Sequence, residues 1–409
     1  MLFIGDIHIT SRFQESILAH LKTYIQQHSE EKNIIFCGDY VYHFSYDRNA
    51  LLSLYQFFLE LVYQGKIVYV LAGNHDRLGN SFVFEEAKKA FDIVNSITHD
   101  QGKIFFVTKP LWQTIEDKEI FFLPFTIHTN DLEIQEKKEL PFTIQWTVDI
   151  LKNAKNKNEI FSWQLNEYLR SQIQGKKNIL IIHHYYINNT VFPGQKSRFS
   201  YKDIALHESI FNQEGIRLIS GHLHQAFTHN NYLCLGSIWS TTPLEANQTK
   251  YLCVYTPATE SIQATEIAIN PYFTLEQWSA ALSKEDVLHH QNLVREQSKK
   301  NMDSPNRNIT YKETESDLKN VSLSIKTDSI DYQRIDDYIA PELRQSIKDI
   351  KLKKESIELD QLLIDFEISA KNLSTGFADW KDILKSYLQQ KHGNEYEKYE
   401  TKLKELKLL

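Results

Sequence analysis

The sequence predicts an α/β fold for residues 1–270, followed by a helical, charge-rich remainder. Three observations predict it. Short apolar runs alternate with amphipathic stretches through the first part. Charge density rises near Asn270: residues 1–270 carry 24 Lys/Arg and 28 Asp/Glu, whereas residues 271–409 carry 22 and 25 in about half the length. Glycine is scarce, 13 of 409 residues against a usual share of roughly 7%, and eleven of the thirteen fall before residue 237. A chain so poor in glycine places it where the backbone needs it, so the glycines point to the chemistry.

The elements follow in order. Leu2–Ile4, Asn33–Cys37, Ile67–Leu71, Ile120–Pro124, Asn178–Ile182 and Ile216–Ser220 read as buried strands. Helical patterns cover Ser11–His28, Arg48–Tyr63 and Glu159–Ile173. Short strand-like pieces, Tyr232–Leu235, Tyr251–Tyr255 and Ser261–Ile269, come after His224, and the polar stretch Thr129–Asn158 reads as an insertion. Beyond Asn270 the sequence predicts a helix over Thr274–Lys300, a polar joint over Asn301–Asn308 and an alternating stretch over Ile309–Ile325. Pro341 suits a first helical turn, and Glu342–Lys371 follows with helical spacing. Two apolar stripes, Phe377-Trp380-Leu384-Tyr387 and Tyr396-Tyr399-Leu403-Leu406, end the chain as helices that either dock on a partner or pack on their own domain.

Bulk properties exclude several classes. A chain that is 42% hydrophobic and 24% charged is a folded soluble protein, and its net charge of −7 lacks the basic footprint of a stand-alone nucleic-acid binder. Cys37, Cys234 and Cys253 lie far apart with no CxxC spacing, which predicts reduced thiols. No basic segment precedes the first apolar residues and no run of eighteen apolar residues occurs. The expectation is a cytoplasmic protein without membrane association.

Nearly every predicted strand ends in glycine or histidine next to a metal-ligand type: Gly5-Asp6-Ile7-His8, Gly38-Asp39, Gly73-Asn74-His75-Asp76, His183-His184 and Gly221-His222-Leu223-His224. Ligands of open α/β sheets gather beyond the carboxyl ends of strands, so these clusters are expected on one edge. Carboxylate, imidazole and amide donors together suit Mn²⁺, Fe or Zn²⁺ better than an all-oxygen Mg²⁺ site. One carboxylate bridging two ions sets up a clamp on the attacking and leaving oxygens of phosphoryl transfer.

These five motifs, in this order over residues 5–224, resemble the calcineurin-like metallophosphoesterase superfamily. The resemblance implies a four-layer sandwich of two mixed β-sheets flanked by helices, over residues 1–270, with a small capping region at 271–335 and a helical tail at 336–409. It implies two divalent ions, Mn²⁺ first with Fe or Zn²⁺ as alternatives. Asp6, His8 and His224 would hold one, Asn74, His183 and His222 the other, and Asp39 would bridge them. His183 is preferred to His184 because it directly follows the apolar run Ile179–Ile182. His75 would be the non-ligand acid that steadies the transition state or protonates the leaving oxygen, and Asp76 would orient its loop.

Within the superfamily, Gly38-Asp39-Tyr40-Val41-Tyr42-His43 lacks the Asp, Arg and Gly that extend this motif in protein Ser/Thr phosphatases. The layout instead resembles Mre11/SbcD-type DNA repair nucleases. Leu235-Gly236-Ser237-Ile238-Trp239-Ser240-Thr241-Thr242-Pro243 resembles their Gly-Ser, aromatic strand end, Ile120-Phe121-Phe122-Leu123-Pro124-Phe125 their strand ending in Pro-aromatic, and the long tail matches a small capping domain followed by helices that dock on a coiled-coil ATPase. That likeness implies a Mn-dependent DNA exo/endonuclease of DNA repair or recombination, a Rad50/SbcC-like partner, and room for a homodimer. His43 lies near a further catalytic histidine of some members, one residue out of step. Tyr185, Tyr186, Arg198, Tyr201 and Trp239 are candidates to line a substrate groove. The competing readings are a small-molecule phosphodiesterase or phosphatase on the same core, and an inactive scaffold.

Overall fold

A computed structural model describes residues 1–42, 44–79, 81–97, 102–125, 157–187, 204–210, 213–241, 245–267, 272–276, 282–303, 309–313, 322–327, 339–347 and 349–354. His43, Arg198, Tyr201, most of the Thr129–Asn158 insertion and both C-terminal stripes lie outside the described residues.

The chain opens with β1 (Leu2–Ile4), α1 (Gln14–Gln27), β2 (Asn33–Phe36), α2 (Phe44–Tyr63) and β3 (Ile67–Leu71). A small ribbon, β4 (Arg77–Leu78) with β5 (Ser81–Phe82), leads into α3 (Glu85–Ile97), β6 (Lys103–Val107), β7 (Leu111–Ile115) and β8 (Lys118–Leu123). Next come α4 (Lys157–Ile173), β9 (Ile179–His183), the short pair β10 (Tyr186–Ile187) and β11 (Ala205–Leu206), and β12 (Ile216–Ser220). β13 (Phe227–His229), β14 (Tyr232–Cys234), β15 (Lys250–Thr256) and β16 (Ser261–Ile267) follow. The last described elements are β17 (Tyr272–Glu276), α5 (Lys284–Met302), β18 (Ile309–Lys312), β19 (Ser322–Thr327), α6 (Pro341–Ser346) and β20 (Asp349–Lys354).

Two mixed sheets dominate: a seven-stranded sheet in the order β18-β16-β15-β1-β2-β3-β6 and a six-stranded sheet in the order β13-β14-β12-β9-β8-β7. Their central strands are parallel and apolar on both faces, and the period-2 alternation sorts each run between two cores. In the first sheet, Phe3, Ile35 and Tyr69 point to the core between the sheets, while Leu2, Ile34 and Val68 face the helices. In the second, Phe122, Leu180 and Ile182 meet that shared core from the other side, and Phe121, Ile179 and Ile181 pack outward. Ile17 and Leu21 of α1, Leu54 and Phe58 of α2, and Phe91 of α3 cover the first sheet, and Phe161, Leu165 and Leu169 of α4 cover the second. The result is a mixed α/β, helix–sheet–sheet–helix sandwich: the α/β class that the sequence pattern predicts, in the layered form that the family resemblance implies. Truncating a side chain at its centre, such as Phe122 at 0% exposure, removes contacts worth about 3–5 kcal/mol.

Eight elements escaped the sequence reading: α3, β6, β7 and β13, and the two-residue strands β4, β5, β10 and β11. β6 and β7 are edge strands with mixed exposure, so neither shows the continuous apolar run of a central strand. Two expected helices are corrected. The stretch starting at Thr274 begins as strand β17, and helix α5 opens only at Lys284, where Ser283 and Asp286 form a reciprocal capping box. The helical spacing expected from Glu342 to Lys371 stops at Ser346, and β20 follows. In β20, Ile350 and Leu352 alternate with lysines, and this period-2 pattern pairs in parallel with Leu323 and Ile325 of β19.

The β17-β19-β20 sheet has its own apolar cluster, including Leu275, Leu323, Leu343 and Ile350. β18, by contrast, returns to pair with β16 in the seven-stranded sheet. Among the described residues, no helix is long and apolar enough to cross a membrane.

Candidate metal centre

The parallel strands deliver the motif residues to neighbouring edges. β1, β2 and β3 run out into Gly5-Asp6, Gly38-Asp39 and Gly73–Asp76, while β9 and β12 of the facing sheet run out into His183-His184 and Gly221–His224. The edges are stitched together: Asp6 forms a parallel bridge with Ser237, and the His222 amide donates to Asp6 Oδ1 at 2.9 Å. Close approach makes glycine necessary at two of these turns. A Cβ on Gly73 would stand 2.2 Å from the Asp39 nitrogen, and one on Gly221 would stand 2.2 Å from Asp6 Oδ1. Three motif residues also hold left-handed backbone, His8 (φ 42°), Asp39 (φ 52°) and His222 (φ 77°), each at a cost of about 1–3 kcal/mol.

The side chains converge in two groups. Asp6, His8 and His224 bring donor atoms within 4.8 Å of one another, and so do Asp39, His184 and His222. Asn74 joins the second group, its Oδ1 lying 3.1 Å from His184 Nε2 and 2.7 Å from His222 Nδ1. Asp39 stands between the groups, with Oδ2 3.2 Å from His184 Nε2 and 3.9 Å from His8 Nε2.

The preference for His183 is corrected: His184 is the residue that enters the second group. His183 is the last residue of β9, paired in register with Ser220 and Leu123, and its ring stacks on Tyr232 at 5.6 Å. One residue further on, the chain has left the strand, and the His184 ring turns to face Asp39. The alternation of side chains along a strand sends adjacent histidines to opposite sides. His184 Nδ1 donates to the Cys37 carbonyl at 2.7 Å, which fixes its tautomer and leaves Nε2 as the donor atom.

The residues present fit cations. Asp6 Oδ2 and His222 Nε2 are buried with no hydrogen-bond partner among the described residues. His8 Nε2 and His224 Nε2 face each other at 3.0 Å, and His224 already gives its Nδ1 proton to Glu245 Oε1 at 2.8 Å. Converging nitrogen lone pairs beside an unpartnered carboxylate oxygen form a donor set that a divalent cation satisfies.

The same crowding shifts the ionisations. Burial, reinforced by Asp39, pushes the Asp6 carboxyl up to about 7, and burial lowers His8 to about 3. Burial also depresses His222 well below its usual range. For His184, burial acts downward, but the adjacent Asp39 carboxylate wins and raises it to about 9. Asp39 is the reverse: burial acts upward, and His184 holds the carboxyl well below the ordinary carboxylate range. Groups shifted in opposite directions and packed this close together make a candidate functional centre.

Asp76 is turned into the loops, its oxygens accepting from the backbone N–H groups of Gly73, Asp39 and Tyr40 at 2.8, 3.0 and 2.7 Å. His75 is exposed at the mouth, its amide donating to Asp39 Oδ1 at 2.8 Å. The His75 ring lies edge-on to His8 at 5.1 Å and stacks on Tyr42 at 5.4 Å.

Two groove candidates are corrected. Trp239 is 2% exposed and its indole donates to the Ile7 carbonyl at 2.6 Å, supporting the Asp6–His8 turn from beneath. Tyr185 is buried among the outer core of the second sheet. Tyr186 does reach the site, its ring edge-on to the His222 ring with the two centroids 3.9 Å apart.

Three residues were missed. Tyr42, stacked on His75, carries no signal in its spacing. Glu245 and Lys250 do carry one: they are the only Asp, Glu, Lys or Arg between Arg217 and Glu260. Charges isolated in an apolar stretch are buried partners or site residues.

A family model for calcineurin-like phosphoesterases matches residues 1–226. No curated protein matches the chain.

Proposed function

The chain belongs to the calcineurin-like phosphoesterase family, which makes it a metal-dependent phosphoesterase, and from that premise we propose that it is a two-metal, Mn²⁺-dependent DNA exo/endonuclease. The observation that carries the two-metal reading is the position of Asp39, whose Oδ2 lies between the Asp6–His8–His224 group and the Asn74–His184–His222 group. Bound there, two divalent cations supply charge stabilisation for the phosphoryl oxygens and acidify water.

The chain's own residues divide the remaining work. Asp6, His8 and His224 would hold one ion and Asn74, His184 and His222 the other, with Asp39 placed between the two groups. Asp76 holds the Asp39 and Gly73 turns together through three backbone hydrogen bonds. His75, at the mouth and outside both ligand groups, donates the proton that the leaving oxygen takes up. Tyr42 supports its ring by stacking.

DNA as the substrate is supported by the likeness to Mre11/SbcD-type nucleases, whose Gly-Ser strand end falls here at Gly236-Ser237, the residue that bridges to Asp6. The rings of Tyr42, Tyr186 and His75 beside the centre suit stacking on bases. With a net charge of −7, the chain is expected to rely on a Rad50/SbcC-like coiled-coil ATPase for much of its grip on DNA, in repair or recombination in the cytoplasm. The same charge favours a second reading, a small-molecule phosphodiesterase.

Purified protein incubated with Mn²⁺ should degrade linear DNA and hydrolyse bis-p-nitrophenyl phosphate, and chelation should stop both. Turnover of the small ester without cleavage of any DNA substrate would transfer the assignment to the second reading.

A further inference from the structure

Behind His224 lies a buried charged network that none of the five motifs contains and that falls beyond the matched residues 1–226. Glu245 is 6% exposed and Lys250 is 1% exposed. Glu245 Oε1 accepts from His224 Nδ1 at 2.8 Å and from the Thr241 hydroxyl, while Oε2 lies 3.2 Å from Ser237 Oγ and 3.0 Å from Lys250 Nζ. Lys250 Nζ also reaches the His224 carbonyl and Ser237 Oγ, each at 2.8 Å, and Gln248 Oε1 at 3.0 Å. The network therefore grips His224 twice, by its ring nitrogen and by its own carbonyl.

Among the described residues, no other histidine of the two groups is held this way. His184 leans on a backbone carbonyl, His222 Nδ1 meets the Asn74 amide, and His8 Nδ1 is buried with no partner among the described residues. A carboxylate behind an imidazole fixes the ring and the tautomer, and it makes the opposite nitrogen a stronger donor than a neutral carbonyl does. Burying a Glu–Lys pair is costly, and a strand end alone does not require one.

We propose that Glu245, anchored by Lys250, is a positioning residue that sets the ring and donor face of His224 and so selectively tightens the ion held by Asp6, His8 and His224. The inference rests on the two-metal reading above. Glu245 acts through His224 and touches no substrate.

The test is calorimetric titration of metal-stripped, full-length protein with Mn²⁺, which needs no turnover. Wild type should take up two ions. In Glu245→Gln, one ion should bind about 10–100-fold more weakly while the other stays within about twofold of wild type. Because Glu245→Gln leaves Lys250 buried without its carboxylate, the double variant Glu245→Gln/Lys250→Met removes both charges at similar volume and should show the same loss of one ion. In a His224→Ala background, Glu245→Gln should cause no further loss, as expected of a residue acting only through His224. Two unweakened ions in both variants, or equal weakening of both ions with a lowered Tm, would overturn the inference. A wild type that binds no Mn²⁺ would remove the two-metal reading and the inference with it.

Discussion

In one half of the centre, Asp6, His8 and His224 are backed by a buried carboxylate, Glu245, and a buried lysine. In the other half, Asn74, His184 and His222 are backed by a main-chain carbonyl, Cys37, and by contacts among the ligands themselves. The donor types are nearly the same, and the support differs. A carbonyl orients an imidazole without adding net charge, whereas a carboxylate adds to its basicity. The two halves are therefore expected to hold their ions with different strengths, and Asp39, which stands between them, is expected to couple them.

The largest effect should come from removing that coupling. Asp39→Ala deletes the carboxylate that stands between the halves and leaves His184 Nε2 without the carboxylate oxygen 3.2 Å away. Losing several kcal/mol of charge stabilisation corresponds to a fall in kcat of about 10³-fold or more. Calorimetry should show both Mn²⁺ ions weakened together. Loss of only one would mean that the halves are independent.

The next effect belongs to neither half. His75→Ala should leave both ions bound and lower kcat by about 10²–10⁴-fold on a substrate with a poorly stabilised leaving oxygen, such as DNA. The loss should be smaller on bis-p-nitrophenyl phosphate, whose nitrophenolate departs without a proton. An equal loss on both substrates, or lost Mn²⁺ occupancy, would contradict the role given to His75.

The third test separates adjacent histidines. His184→Ala should weaken the ion of the carbonyl-backed half alone and lower kcat by about 10²-fold or more. His183→Ala should retain both ions and instead cost about 1–3 kcal/mol in denaturant unfolding, through its lost packing on Tyr232. The opposite pattern would return the ligand position to His183.

The legibility of the chain follows the same physics. The central strands were readable because both faces of β1, β2, β3, β9 and β12 are buried, which demands continuous apolar runs. The edge strands β6 and β7 were not, because half of their residues meet solvent or a neighbouring element. In β20, a strand was read as a continued helix because Leu343, Ile347 and Ile350, at i, i+4 and i+7, carry the helical spacing into its first residues. His183 and His184 illustrate the finest limit: both follow the same apolar run, and which ring faces Asp39 depends on the residue at which β9 ends.

By itself, the sequence determined the α/β alternation, the order of the strand-end motifs and the types of donor atom, because close turns demand glycine and buried parallel strands demand unbroken apolar runs. Only the tertiary structure decided which histidine turns inward, that Trp239 supports the site from below, and that Glu245 and Lys250 stand behind His224. Those facts depend on side-chain direction and on contacts between distant parts of the chain. Local patterning is blind to both.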